Sequence, residues 1–156
     1  MTLLQLQRCS ESDSILLWQW ANDPLSRQMA LDPNPIPWQD HQFWFAEKIR
    51  ANDHLLYIAQ TLNHEKVGYF RCAIQDNTAT LSYALSPAWR GKGYGLALLE
   101  SGVKTVFAES SVNKIEGWVK TSNIPSMKIF SKAGFYQVNL EYSHEKLVLF
   151  RKIRPT

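Results

Sequence analysis

The sequence predicts an α+β fold of about seven strands and four helices. Three observations carry that expectation. Thr78 to Ser86 has a strand's mix of β-branched, aromatic and small residues, and passes through a glycine-rich turn into a segment with helical apolar spacing. Two further strand-like runs precede it, joined only by short polar turns, as in an antiparallel meander. Downstream, helix-period and strand-period segments alternate to the C-terminus.

In order, Leu3, Leu4 and Leu6 open a first strand that ends near Arg8. Ser10 with Asp13 three residues on forms a capping-box-like start, and Ile15, Leu16, Trp18 and Trp20 carry a helix to Asn22-Asp23-Pro24, where proline must stop it. Leu31 to Pro37 holds three prolines in seven residues and reads as an irregular loop between two short helices. Trp38 through Phe45 to Ile49 follows a helical period again. His54 to Thr61, Lys66 to Gln75 and Thr78 to Ser86 are the three strands of the meander, with turns at Leu62 to Glu65 and Asp76-Asn77.

Pro87 cannot continue a central strand, and Leu96, Leu99, Val103 and Phe107 recur at three- and four-residue steps, so a helix should begin near Gly93. The turn between, Arg90-Gly91-Lys92-Gly93-Tyr94-Gly95, has three glycines in five positions. Glycine lets amides converge and a ligand come close, and a first helical turn carries unpaired N–H donors at the positive end of its dipole. The turn is therefore a candidate anion cradle, most naturally for phosphate, with Arg90 or Lys92 adding a charge. Three defined positions are weak evidence alone, because a tight strand-to-helix turn also needs glycine. Neither a Walker loop nor a dinucleotide fingerprint is present.

Lys114 to Lys120 alternates Ile115, Gly117 and Val119 against Glu116, Trp118 and Lys120, as a strand with two different faces does. Asn123 caps the next helix, Pro125 is tolerated in its first turn, and Gly134 with Phe135 closes it. Tyr136 to Tyr142 and Lys146 to Arg151 read as a closing hairpin.

The Arg-x-x-Gly-x-Gly of Arg90 to Gly95, the Asn-x-x-Ser of Asn123 and Ser126, and the Lys-x-Gly-Phe of Lys132 to Phe135 stand in one order over nearly the whole chain. Together they resemble the GNAT superfamily of acetyl-CoA-dependent N-acetyltransferases. The resemblance implies a mixed, mostly antiparallel sheet with helices on both faces, splayed after Thr78 to Ser86 to admit acetyl-CoA as cosubstrate. It implies that Leu85 and Ser86 pair with the pantetheine arm, that Arg90, Gly91, Lys92, Gly93, Tyr94, Gly95 and Leu96 surround the pyrophosphate, and that Asn123, Ser126 and Phe130 complete the cofactor site. The superfamily usually has a tyrosine general acid seven residues after the motif asparagine. Here that residue is Phe130, so Tyr83 is the substitute candidate and Glu116 the candidate base, each weighed against an ordinary strand tyrosine and a solvent-facing glutamate.

Trp18, Trp20, Trp38, Phe43, Trp44 and Phe45 are more rings than two short helices need, although most should form core. Trp20 to Arg27, followed by Ile36 to Phe45, resembles the branch that N-acetylates nucleotide-linked aminosugars in pseudaminic-acid-type pathways. That implies a UDP-linked 4-amino-4,6-dideoxysugar acceptor, with Arg27, His41 and Trp38 as substrate contacts. The branch shares its helix pattern with acetyltransferases of ribosomal-protein N-termini, which is the alternative activity. A non-catalytic acyl-CoA-binding module is a third reading, supported by Phe130.

One domain over residues 1–156 is expected from length, and 45% hydrophobic residues suffice for a core. A net charge of +3 with interspersed signs argues against nucleic acid and suits an anionic ligand. Cys9 and Cys72 lack metal-ligand spacing and read as packed thiols, so no metal site is expected. No export segment or run of membrane-spanning length occurs in this sequence, which makes a cytoplasmic protein with a small-molecule amine partner the expectation. A homodimer remains open.

Overall fold

The computed structural model describes residues 3–140 and 146–156. Its elements are β1 (Gln5–Arg8), α1 (Ser14–Ala21), α2 (Pro24–Met29), α3 (Trp38–Lys48), β2 (His54–Gln60), β3 (Lys66–Gln75) and β4 (Thr78–Leu85), then α4 (Tyr94–Glu109), β5 (Lys114–Lys120), α5 (Ile124–Lys132), β6 (Tyr136–Gln137) and β7 (Leu147–Ile153). Single 3-10 turns, Glu11–Asp13 and Pro87–Trp89, precede α1 and follow β4. The sheet runs β1-β2-β3-β4-β5-β7-β6, antiparallel throughout except for the parallel β4–β5 pair.

Alternation along the central strands makes two cores. Tyr57, Phe70, Cys72 and Leu81 pack on Leu98, Leu99 and Val103 of α4 and on Phe130 of α5. Leu56, Ile58 and Tyr69 point the opposite way, onto Leu17 and Trp20 of α1 and Phe45 of α3. This is the period-two pattern of a sheet covered on both faces. Asp76 and Asn77, with φ 51° and 62°, form the two-residue turn between β3 and β4 that matches strand twist.

Three expectations are corrected. The first helix does stop before Pro24, but the chain restarts at once: Asp23 accepts from the Leu25 and Ser26 amides, and Pro24 occupies the first position of α2. The capping box of Ser10 and Asp13 forms over the 3-10 turn ahead of α1, and Ser10 N donates to Asp13 Oδ2 at 2.9 Å. The closing hairpin is lopsided, with only Tyr136–Gln137 as strand on one side and Leu147–Ile153 on the other; Tyr142 lies outside the described residues.

The proline-rich loop is held by side chains because its prolines have no N–H to give. The carbonyls of Asp32, Asn34 and Ile36, each just before a proline, all accept from side chains. Arg27 Nη1 donates to Asp32 and Asn34 at 3.1 and 3.3 Å, and Trp18 Nε1 donates to Ile36 at 2.7 Å. Asn22 grips the Ile36 backbone at both ends, accepting from its amide at 2.7 Å and donating to its carbonyl at 3.0 Å.

Candidate active site

β4 and β5 are paired only from Thr78↔Lys114 to Thr80↔Glu116. Beyond that rung they part, and the β5-facing edge of β4 has no partner strand. A cleft of about 690 Å³ opens there, lined by Tyr83 and Leu85 of β4, Trp118 and Val119 of β5, Asn123, Ser126 and Phe130 around α5, and residues of α2. Arg90 and Gly95 line its far end.

The glycine turn closes that end. Gly91 and Gly93 have φ of 73° and 84°, a region costly for residues with a Cβ, and a Cβ built on either would meet nothing within 4 Å. Their exposed face is therefore vacant space shaped by the absence of side chains. Gly93 caps α4 without a side-chain bond, and among the described residues no hydrogen bond outside the regular elements uses the amides of Gly91 to Leu96. Tyr94, Gly95 and Leu96 are the first helical residues, whose amides precede the intrahelical ladder. The arrangement fits a diphosphate at a helix N-terminus, with an extended arm along the open edge of β4.

The two basic residues of the turn differ. Arg90 is not free for phosphate: its Nη2 meets Asp23 Oδ2 at 2.7 Å and Ser26 Oγ at 3.1 Å, clamping α2 to the turn. Burial by itself would raise the Asp23 carboxyl, but hydrogen bonds from Arg90 and the Ser26 and Leu25 amides, with the Arg90 charge, hold it below the usual range. Lys92 is exposed and lies 5.5 Å from the Trp89 ring centre, within reach of an anion at the turn. Ser86 is spent on structure, as its amide donates to Val67 and its backbone begins the 3-10 turn.

Tyr83 lines the cleft, and its hydroxyl is 3.1 Å from Ser126 Oγ. Burial pushes its pKa up against the opposing Ser126 hydrogen bond, so the phenol stays protonated at neutral pH. Phe130 packs between Phe150 and Phe135, with ring centres 5.1 and 4.9 Å away, and its ring tip lies where a Cβ on Gly117 would be, 2.8 Å from Cζ. Asn123 caps α5 by accepting from the Ser126 amide at 3.2 Å.

Glu116 does not join this group. It stands at the apex of the fork, and its Oε2 accepts from Arg151 Nε of the facing β7 residue at 2.6 Å, with only 14% of its side chain exposed. It does not line the cleft. The expected carboxylate base is thus a cross-strand ion-pair partner.

A second cavity of about 280 Å³ adjoins the cleft, sharing Arg27, Ile36, Tyr69 and Arg71 with it and adding Leu17, Ala21, Asp40, His41 and Trp44. His41 is buried, and its Nε2 lies 2.9 Å from the Ser14 carbonyl, which can only accept. Burial lowers its pKa, the Ser14 bond opposes that, and the Arg71 charge adds to it, so the ring is neutral with Nε2 protonated. Among the described residues Nδ1 has no hydrogen-bond partner and is not a buried orphan, which leaves it open as an acceptor. Trp38 is corrected: it lines neither cavity but stacks on His41 at 5.7 Å and meets Trp18 edge-on. Arg27 is present, with its Nε on the Ala21 carbonyl at 2.6 Å and Nη1 on the loop, so it braces the wall.

Sequence reasoning missed Tyr69, Arg71 and Asp40. The signal was legible for Arg71 alone, a charge inside the apolar run Val67-Gly68-Tyr69-Phe70-Arg71-Cys72-Ala73-Ile74 of a central strand. Cys9 and Cys72 are unpaired, and burial pushes each thiol up to about 12, so both are inert. Among the described residues no cluster suited to a metal ion occurs, and no helix is long and apolar enough to cross a membrane.

Known proteins share this fold. The chain is similar to a putative phosphinothricin acetyltransferase, YwnH, of Bacillus subtilis (strain 168), at 26% identity over 121 residues, 74% of this chain and 72% of the relative. It superposes on a spermidine N-acetyltransferase from Vibrio cholerae in complex with CoA and spermine with a TM-score of 0.83, at 13% identity, covering 96% of this chain and 95% of the other. An aminoglycoside acetyltransferase in complex with coenzyme A and kanamycin gives a TM-score of 0.80 at 21% identity, covering 97% and 95%. The family model described as Acetyltransferase (GNAT) domain matches residues 4–136, most of the chain and all of the forked sheet up to β6. The chain therefore belongs to the GNAT acetyltransferase family.

Proposed function

We propose that this chain catalyses acetyl-CoA-dependent N-acetylation of a small-molecule primary amine, and that the acceptor is a nucleotide-linked aminosugar of the 4-amino-4,6-dideoxy type. The observation that carries the transferase reading is the fork between β4 and β5 ending in a turn whose amides, among the described residues, make no backbone hydrogen bond outside the regular elements. Two distantly similar proteins with this fold were crystallised with CoA and an amine, which supports the same use here.

Bound in the fork, acetyl-CoA supplies an acetyl thioester. The chain's own residues do the rest. Amides of Gly91 to Leu96 and the Lys92 ammonium hold the anionic end, and the unpaired edge of β4 near Leu85 offers fixed donors beside the fork, where each donor aimed at developing charge is worth about 3 kcal/mol. Tyr83 carries a proton at the cleft wall, oriented by Ser126. His41 Nδ1 is an open acceptor on the adjoining cavity, suited to an incoming ammonium. Ordering amine and thioester in adjoining cavities removes the entropic cost of a bimolecular encounter.

The adjoining cavity, about 280 Å³ with aromatic and polar walls, suits a group the size of a sugar ring better than a polypeptide chain. Unpaired cysteines support a reducing, cytoplasmic setting. The experiment is to incubate the protein with acetyl-CoA and, separately, a UDP-4-amino-4,6-dideoxysugar, a ribosomal-protein N-terminal peptide and spermidine, following free thiol. Fastest release with the nucleotide sugar is expected. Release with the peptide alone refutes the acceptor, and CoA binding without release on any amine refutes the transferase.

A further inference from the structure

Arg71 projects from the middle of β3, a central strand whose span from Val67 to Ile74 is otherwise apolar, aromatic or small, into the wall shared by the cleft and the acceptor cavity. Its guanidinium lies 4.8 Å from the Trp44 ring centre. A cation carried by a rigid strand and lying over the ring of a helix residue, here Trp44 of α3, is held in place without being neutralised. Among the described residues it enters none of the ion pairs, which join Lys48, Arg50, His54, Lys66, Arg90 and Arg151 to their carboxylates. Arg27 beside it is also without a carboxylate, its donors going to backbone carbonyls. Two carboxylates line these cavities, Asp40 the smaller and Asp32 the cleft, and among the described residues neither forms an ion pair with Arg71 or Arg27, the two guanidiniums of the shared wall; the third guanidinium, Arg90, is already paired with Asp23.

From this we infer that Arg71 is an anion-binding residue of the acceptor site, so that the amine substrate carries a carboxylate or phosphoryl group. The inference rests on the transferase reading above and names the residue of the acceptor site that would hold the substrate's anionic group, whichever anionic amine that substrate is. A guanidinium offers a planar fork matched to two oxygens of such a group, and the contact with the Trp44 ring positions it before the ligand arrives. The position matters as much as the charge. Arg71 borders both cavities, so an anion it holds lies at the junction where amine and thioester must meet, and a compact polycation would place its second charge against Arg71 and Arg27. A nucleotide sugar and an amino acid both satisfy the chemistry; they differ in phosphoryl against carboxylate.

The test begins with a CoA titration, whose failure removes the transferase reading and this site with it. With CoA saturating, the glycine turn is filled, and inorganic pyrophosphate, phosphate and acetate are titrated while tryptophan emission is recorded; the same titration on Trp44→Phe identifies the reporter. A saturable change is expected in the wild type, weakened about tenfold or more in Arg71→Gln and by a smaller factor in Arg71→Lys, which keeps the charge and loses the planar fork. Preference for the phosphoryl probes marks a nucleotide-type acceptor, and preference for acetate an amino acid. In parallel, kcat/KM for L-methionine against its methyl ester, and for a UDP-aminosugar against the free aminosugar, should favour the anionic member, with the ratio collapsing in Arg71→Gln at unchanged CoA affinity. No saturable response in the wild type, or an equal response in Arg71→Gln, overturns the anion site while leaving acetyl transfer to uncharged amines standing.

Discussion

Gly93→Asp separates the ligand cradle from the fold beneath it. At φ 84° a residue with a Cβ is strained by about 1–2 kcal/mol, and no steric cost follows, because nothing lies within 4 Å of the new Cβ. For a chain of this size the melting temperature should fall by about 2–8 °C. Binding suffers far more. The side chain enters the space the turn leaves open, forfeiting at least one amide bond to a charged group, worth about 1.5–3 kcal/mol. It also sets a carboxylate near the ligand's phosphate, which costs about 4 kcal/mol at 4 Å and an effective dielectric of 20. CoA affinity should therefore drop about a thousandfold or more. Gly93→Ala shares the strain without the charge and should fall between. Calorimetric titration with CoA, paired with melts in its presence and absence, reads both quantities, since a ligand that no longer binds no longer raises the melting temperature. Wild-type CoA affinity in Gly93→Asp would refute the cradle.

Tyr83→Phe removes the proton-bearing group at the cleft wall and one hydrogen bond to Ser126; kcat should fall about tenfold or more, with a stability loss of about 1 kcal/mol. A kcat equal to wild type from pH 6 to 9 would mean that the thiolate leaves without it. Phe130→Tyr should not supply a replacement acid, because the ring tip abuts Gly117 and a hydroxyl there is both crowded and unpartnered, costing about 2–6 kcal/mol; a stable, faster variant would show that this edge opens to the cleft instead. Glu116→Gln should leave the pH dependence of the rate unchanged while lowering stability by about 1–3 kcal/mol through the lost Arg151 pair, and a shifted acidic limb would return Glu116 to the mechanism. Burial depresses His41, so the unfolded chain binds a proton that the folded chain refuses: the stability tied to neutral His41 is complete above about pH 6.5 and is lost as pH falls below it. Melts between pH 7.5 and 5 should show that slope in the wild type and a flatter one in His41→Gln; identical slopes would assign the acid sensitivity elsewhere.

Local chemistry made much of the fold legible in advance. The strand ending at Pro87, the glycine turn, the Asn123 cap and the Gly134 stop are decided by backbone rules acting within a few residues, and each holds within a residue or two. Helix α2 was missed because six residues are too few to display a period, and Pro24 reads equally as a stop and a start. The motif arginines show a different limit. Arg27 and Arg90 both look like ligand contacts in one dimension, yet proline-starved carbonyls and the Asp23 carboxylate, brought up by the fold, occupy them first.

What the amino-acid order determined by itself is the sequence of elements, the glycine turn and the helix beginning beyond it, because those depend on φ preference, period and capping. What only the tertiary structure decided is which side chains face the fork. Strand alternation assigns a residue to a face, but cross-strand partners differ by tens of residues in sequence: Glu116 meets Arg151, Tyr83 meets Ser126, and Arg71 settles on Trp44. Whether a charge is spent or available depends on those distant partners, so Glu116 left the candidate site and Arg71 entered it.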